Sequence, residues 1–152
     1  MKNTPMLLDG KVLSQQIEEN LKVRVKKIIE HAGIIPVLAT ILVGNDPSSE
    51  VYVKMKGNAC ERIGMKSLKL HLPQETTTGD LLAEIDKLNM DERVCGILLQ
   101  HPVPAQINER LCFDQISIDK DVDGVTCLGF GRMSMNEPAY GSATPAGIMK
   151  LI

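Results

Sequence analysis

The stretch from Val43 to Gly64, V-G-N-D-P-S-S-E-V-Y-V-K-M-K-G-N-A-C-E-R-I-G, predicts a strand end, a short turn and a helix. It continues Ile35 to Val43, an almost entirely apolar run typical of a strand covered on both faces in a parallel sheet. Tyr52 and Lys56 stand four residues apart, so they share one face of the helix. Ligands of open α/β sheets bind beyond the carboxyl ends of the strands, which makes the pair a candidate site. A half-buried ring beside a solvated amine is the alternative that spacing leaves open.

The rest of the chain alternates helices with strands. From Asp9, apolar residues at three- and four-residue steps predict an amphipathic helix that ends near Ala32-Gly33. Met65 to Leu72 is predicted as a second strand, a helix capped within Thr76-Thr77-Thr78 follows, and Cys95 to Leu99 is a third strand. The order β-α-β-α-β implies right-handed crossovers and a mostly parallel sheet. The predicted fold is therefore a three-layer α-β-α domain.

Composition narrows the classes of function. The 152 residues are enough for one domain that buries about two-thirds of its unfolded surface. With 17 basic and 19 acidic residues, a net charge of −2 and 3% aromatics, neither nucleic acid nor a membrane is an expected partner. The N-terminus lacks an apolar signal region, and no apolar stretch is long enough to span a bilayer. We expect a soluble, cytoplasmic protein whose four widely spaced cysteines are reduced and mostly buried, namely Cys60, Cys95, Cys112 and Cys127.

The segment that carries Tyr52 and Lys56 resembles the signature of the bifunctional methylenetetrahydrofolate dehydrogenase/cyclohydrolase family, V-G-x-D-P-(A/S)-S-x-x-Y-V-x-x-K. Gly96 to Pro104 is similar to a second family pattern, G-(I/L)-(L/V)-(V/L)-Q-L-P-(L/V)-P, with Gln100 kept and His101 in place of Leu. On their residue types alone, Gln100 would cap loop backbone and His101 would be a surface histidine. The matching residues of the first signature are Val43, Gly44, Asp46, Pro47, Ser48, Ser49, Tyr52, Val53 and Lys56.

A third stretch, Asp119 to Gly124, has three interpretations. Its D-x-D-x-D-G begins like an EF-hand loop, but Phe130 stands where the bidentate Glu is required, so we do not predict a calcium site or any other metal. An acidic surface turn closed by Gly124 is the commoner structure for such a sequence. The family has K-D-V-D-G here and then G-R, which Lys120 to Gly124 and Gly131-Arg132 match. The resemblance implies that Asp123 accepts hydrogen bonds from the amino-pyrimidine edge of the folate pterin.

The resemblance also implies a chemistry. It is the NADP-dependent oxidation of 5,10-methylenetetrahydrofolate to the 5,10-methenyl form, followed by hydrolysis to 10-formyltetrahydrofolate. It implies that Lys56 is the central catalytic group, that Gln100 orients it, and that Tyr52 acts with them and packs on the folate. An ordinary Lys is protonated near neutral pH, so a base at this position needs a pKa lowered by enclosure. A non-catalytic folate-binding module and an α/β interaction domain are the alternatives.

The resemblance runs from about Met6 to Ile152 and covers the amino-terminal, folate-binding half of the family's enzymes. We predict a tetrahydrofolate-binding catalytic domain over 1–143, and over 144–152 the start of a helix, at Thr144, that leads to an NADP-binding domain. Gly129-Phe130-Gly131 is not a nucleotide-binding turn, because Ser134 occupies the third glycine position. We therefore expect this chain to supply only the folate site of a longer, homodimeric enzyme.

Overall fold

The computed structural model describes residues 7–152. The sequence also predicts a loose leader over Met1 to Pro5 and a short extended piece over Met6 to Leu8, and residues 1–6 of these lie outside the described residues. Leu7 and Leu8 have no regular secondary structure. The elements are α1 (Gly10–Ala32), β1 (Val37–Val43), α2 (Pro47–Ile63), β2 (Lys66–Leu72), α3 (Thr78–Met90), β3 (Val94–Leu99), α4 (Glu109–Gln115), a 3-10 turn (Ile118–Lys120), α5 (Cys127–Ser134) and α6 (Ala143–Leu151).

The three strands form one parallel sheet in the order β2-β1-β3, with β1 in the centre. Helix α2 lies on one face with α1 packed behind it, and α3 and α4 lie on the other face. The predicted three-layer arrangement is confirmed. Because β2 and β3 flank β1 on opposite sides, the chain leaves β1 and β3 toward opposite faces of the sheet. In sheets of this topology, ligands bind in the crevice beyond the carboxyl ends of two such strands.

The main core lies between the sheet and α3 with α4. Ile41 of the central strand β1 and Ile97 of the adjacent strand β3 are both fully buried. Burial of each such side chain stabilises the fold by about 1.5–3 kcal/mol relative to its exposure. The buried members of this core are Ala39, Ile41, Val43, Leu81, Ile85, Leu88, Val94, Ile97, Leu99, Ile107, Cys112 and Ile116.

The turn into α2 is fixed by local interactions that its residue types indicate. The Asp46 carboxylate accepts the N–H of Ser49 at 2.7 Å, and this bond lowers the pKa of Asp46. Pro47 occupies the first turn, where its missing N–H costs nothing. Gly44 has φ +79°, a left-handed conformation that other residues rarely adopt, and a Cβ there would also displace the flexible end of the Gln74 side chain. The turn therefore requires glycine at this position.

Several predicted boundaries and environments needed correction. Strand β1 begins at Val37 rather than Ile35, and α6 begins at Ala143 rather than Thr144. Helices α4 and α5 were not predicted. All four cysteines are free thiols, but only two of them are buried. Cys95 and Cys127 are exposed. Within residues 7–152, no helix is both long and apolar enough to cross a membrane.

Candidate functional site

Lys56 and Gln100, far apart in the sequence, meet in the crevice at the carboxyl ends of β1 and β3. The Lys56 Nζ donates to Gln100 Oε1 at 3.1 Å. Gln100 is the first residue beyond β3, and its backbone N–H donates to the carbonyl of Ile41 at 2.8 Å. The bond to Ile41 holds Gln100 against the central strand, while α2 brings Lys56 from the other face. Parallel strand order therefore assembles a pair that helical spacing alone would not indicate.

The amide of Gln100 has a defined orientation. Its Nε2 donates to the carbonyl of His101 at 2.9 Å, which leaves Oε1 to face Lys56. The imidazole of His101 points elsewhere, with Nδ1 2.5 Å from Glu109 Oε1. A carboxylate can only accept, so Nδ1 carries the proton in this contact. Thus Gln100 belongs to the Lys56 pair through its side chain, whereas His101 supports it only through its backbone carbonyl.

Burial and one negative charge act on Lys56 in opposite directions. The side chain is half-buried, and loss of hydration lowers the pKa of the Lys56 amine, while the charge of Asp123 raises it. The burial effect is the larger one. At any given pH the amine therefore has a larger neutral fraction than a solvated lysine, which favours a role in proton transfer. The Asp123 carboxylate therefore lies close enough for its charge to act on the Lys56 amine.

Tyr52 lies one helical turn before Lys56 on α2 and is 57% exposed. Its ring is open to solvent at the edge of the crevice rather than packed in the core. An exposed ring on the lysine's side of the helix offers a surface on which a flat heterocycle can stack. The structure thus brings together Lys56, Gln100 and Asp123, with Tyr52 beside them.

The loop that carries Asp123 differs from the acidic surface turn considered from the sequence. Asp121 is only 1% exposed, so that interpretation is wrong for this residue. Its Oδ1 accepts the N–H of Val125 at 3.0 Å, and its Oδ2 accepts the N–H of Thr126 at 2.9 Å. Both carboxylate oxygens therefore serve the protein backbone. Across residues 7–152, no group of three or more His, Cys, Asp or Glu is placed to hold a metal ion.

Lys120 is a second residue whose role the sequence did not indicate. Its Nζ donates to the carbonyls of Leu88, Asn89 and Asp91 at 3.0, 2.7 and 2.8 Å. These are carbonyls at the end of α3, which carries a partial negative charge. The ammonium therefore ties the start of the Asp123 loop to the end of α3. Its residue type does not separate this lysine from an ordinary exposed one, although it opens the K-D-V-D-G stretch.

Comparisons with known proteins agree on one family. The family model described as tetrahydrofolate dehydrogenase/cyclohydrolase, catalytic domain, matches residues 8–123. The bifunctional protein FolD of Acinetobacter baumannii is 68% identical over 147 residues, which are 97% of this chain and 52% of that protein. The chain spans about half the length of the curated relatives it matches.

Solved structures give the same result. The bifunctional dehydrogenase/cyclohydrolase FolD of Campylobacter jejuni has a TM-score of 0.92 and 44% identity, covering 96% of this chain and 52% of that one. The dehydrogenase-cyclohydrolase of Trypanosoma brucei, solved in complex with an NADP cofactor and an inhibitor, has a TM-score of 0.91 and 25% identity. That match covers 97% of this chain and 52% of the other.

Proposed function

Because this chain belongs to the tetrahydrofolate dehydrogenase/cyclohydrolase family, we propose that it supplies the folate site of a one-carbon-transfer enzyme. The reactions are the NADP-dependent oxidation of 5,10-methylenetetrahydrofolate to the 5,10-methenyl form and the hydrolysis of that form to 10-formyltetrahydrofolate. The single observation that carries the proposal is the bond from Lys56 Nζ to Gln100 Oε1, in the crevice where a ligand is expected.

Hydrolysis is the step in which Lys56 has the clearest task. Water forms a bond to the electron-poor methenyl carbon, and the bond from that carbon to nitrogen 5 of the pterin breaks. One water proton ends on nitrogen 5 and the other is released. A lysine whose pKa is lowered by burial is neutral more often than a solvated lysine, so it is better suited to take up that released proton. Gln100 holds the amine in place by accepting one of its N–H groups.

The folate is held by the groups around this pair. The carboxylate of Asp123 can accept two hydrogen bonds from the amino-pyrimidine edge of the pterin, and the exposed ring of Tyr52 can stack on the folate. With the pterin edge on Asp123, the one-carbon unit would lie toward Lys56, because the Asp123 charge acts on the Lys56 amine. Tyr52, Lys56, Gln100 and Asp123 are thus the residues we assign to the site.

The oxidation needs a hydride acceptor, and NADP supplies that chemistry when bound. The NADP complex of the Trypanosoma brucei relative supports this choice of cofactor. We assign no residue of this chain to the cofactor. We place the folate domain at 1–143 and assign 144–152 to a connection toward a cofactor domain of a longer, cytoplasmic, homodimeric enzyme.

Replacing Lys56 with Met tests the proposal, because it removes the amine but keeps an unbranched apolar side chain. We expect the hydrolysis of methenyltetrahydrofolate to be abolished, as measured by the loss of its absorbance. The Kd for folate should change little. Lys54→Met is the matched control, since Lys54 is an exposed lysine of the same helix. Unchanged turnover in Lys56→Met would overturn the assignment. Folate binding without turnover in the unmodified protein would favour a non-catalytic binding module.

A further inference from the structure

The loop that carries Asp123 is folded around the buried carboxylate of Asp121, a group with no task in the proposed chemistry. The carboxylate accepts the backbone N–H groups of Val125 and Thr126, and the Asp121 carbonyl accepts the N–H of Gly124 at 3.1 Å. These bonds reach three, four and five residues ahead. They close the backbone into a ring that includes residue 123.

Both ends of this ring are attached to rigid parts of the fold. Asp121 forms a parallel bridge with Ile97 of β3, which anchors the start of the loop to the sheet. At the other end, Thr126 Oγ1 accepts the N–H of Gly129 at 2.9 Å and caps α5. A Cβ on Gly129 would lie 3.1 Å from Asp121 Oδ2, so the first turn of α5 packs directly against the carboxylate.

The backbone on either side of the Asp123 side chain is held as well. The Asp123 carbonyl accepts the N–H of Ala143 at 3.3 Å, and the Gly124 carbonyl accepts the hydroxyl of Ser142 at 3.2 Å. Gly124 has φ +65°, and a Cβ there would lie 2.7 Å from the backbone of Gly141. Little room is left for residue 123 to change its direction while the ring stays closed.

We propose that Asp121 is a positioning residue: its carboxylate holds loop 121–126 in the shape that presents Asp123 to Lys56 and to the bound ligand. The identity of that ligand, a folate, rests on the proposed function. The hydrogen bonds from the loop backbone to Asp121 and the effect of the Asp123 charge on Lys56 do not depend on that function. A carboxylate suits this task because each of its oxygens only accepts, and both are used by backbone N–H groups.

The first test measures the pKa of Lys56 by NMR titration of the lysine-labelled protein without ligand. Asp121→Asn keeps the size of the side chain but replaces one accepting oxygen with an amide NH₂ that cannot accept. If Asp123 loses its place, the Lys56 pKa falls in Asp121→Asn, as it does in Asp123→Asn, because the charge that raises it has moved or gone. In the Asp121→Asn/Asp123→Asn double variant, we expect no fall beyond that of Asp123→Asn alone. A direct charge effect of Asp121 would instead add to it.

Two further variants keep this test decisive. Gly129→Ala pushes a methyl group against Asp121 Oδ2 and Thr126 Oγ1 without changing any charge, and we expect a fall in the Lys56 pKa there too. It also serves if Asp121→Asn fails to fold. Asp114→Asn is the matched control, because Asp114 accepts the N–H of Cys127 at 2.7 Å and so also holds the start of α5. We expect no change in the Lys56 pKa in that control.

The second test measures the Kd for methenyltetrahydrofolate. We expect Asp121→Asn to weaken binding about tenfold, and the double variant to bind no more weakly than Asp123→Asn. An unchanged Lys56 pKa in folded Asp121→Asn and Gly129→Ala, or additive effects in the double variant, would overturn the positioning role. A third outcome is that the Lys56 pKa falls as expected, without additivity in the double variant, and yet the protein does not bind folate. That result would support the positioning role and overturn the proposed function.

Discussion

Replacing Gln100 with Leu removes the acceptor of Lys56 Nζ at nearly constant side-chain size. A hydrogen bond that involves a charged group contributes about 1.5–3 kcal/mol, which corresponds to about 10- to 150-fold in rate if it is needed in the transition state. The contact of 3.1 Å is long for a charge-assisted bond, and Lys56 is only half-buried. We therefore expect a loss in kcat for methenyltetrahydrofolate hydrolysis near the lower limit, about tenfold.

The assay is steady-state hydrolysis over a range of pH, with KM measured at each point. We expect KM to change little, because Asp123 and Tyr52 remain to hold the folate. Gln106→Leu is the matched control, since the Gln106 amide donates to the carbonyls of Gln74 and Thr76 and not to Lys56. A loss confined to KM, or an equal loss in the Gln106 variant, would refute the claim that Gln100 acts by orienting the lysine.

Three further predictions follow from the electrostatics of named groups. Asp123→Asn should lower the pKa of Lys56 further, because it removes the charge that raises it, and a pKa that stayed or rose in an NMR titration would contradict this. Lys120→Met should reduce the free energy of unfolding in urea by about 1–3 kcal/mol, since three carbonyls at the end of α3 lose their donor. A similar loss of stability in Lys87→Met, which changes an exposed lysine of α3, would argue against that cause. The hydrogen bond from Arg93, aided by the backbone, lowers the pKa of Asp91 to about 2, so its stabilising effect is present above roughly pH 4 and lost toward pH 2. The stability difference between Asp91→Asn and the unmodified protein should therefore shrink as the pH falls from about 4 through 2, and a difference that stayed constant over this range would refute the reasoning.

Most of the sheet and of the first three helices could be predicted because each element carries a local signal. Asp9, Asp46 and Thr77 precede their helices and cap them as the residue types suggest. The apolar run in β1 is long and β-branched, as expected for a central parallel strand. Helices α4 and α5 lacked such signals, because they have only 7 and 8 residues, too few for a clear apolar repeat.

The site was predictable only in part, for a related reason. Tyr52 and Lys56 are close in sequence, but the approach of Gln100 and Asp123 depends on strand order and on a loop. The family resemblance assigned these four residues to one site from the sequence alone. Their residue types by themselves did not. The burial of Asp121 and the contacts of Lys120 depend on tertiary packing, and charged residues in a polar stretch give no hint of it.

The most direct test of the account is a crystal structure of the protein with a methenyltetrahydrofolate analogue. The account predicts that the amino-pyrimidine edge lies on the carboxylate of Asp123, that the Tyr52 ring stacks on the folate, and that the one-carbon unit lies beside Lys56 Nζ. An analogue bound at saturating concentration anywhere other than the crevice between β1 and β3 would contradict it.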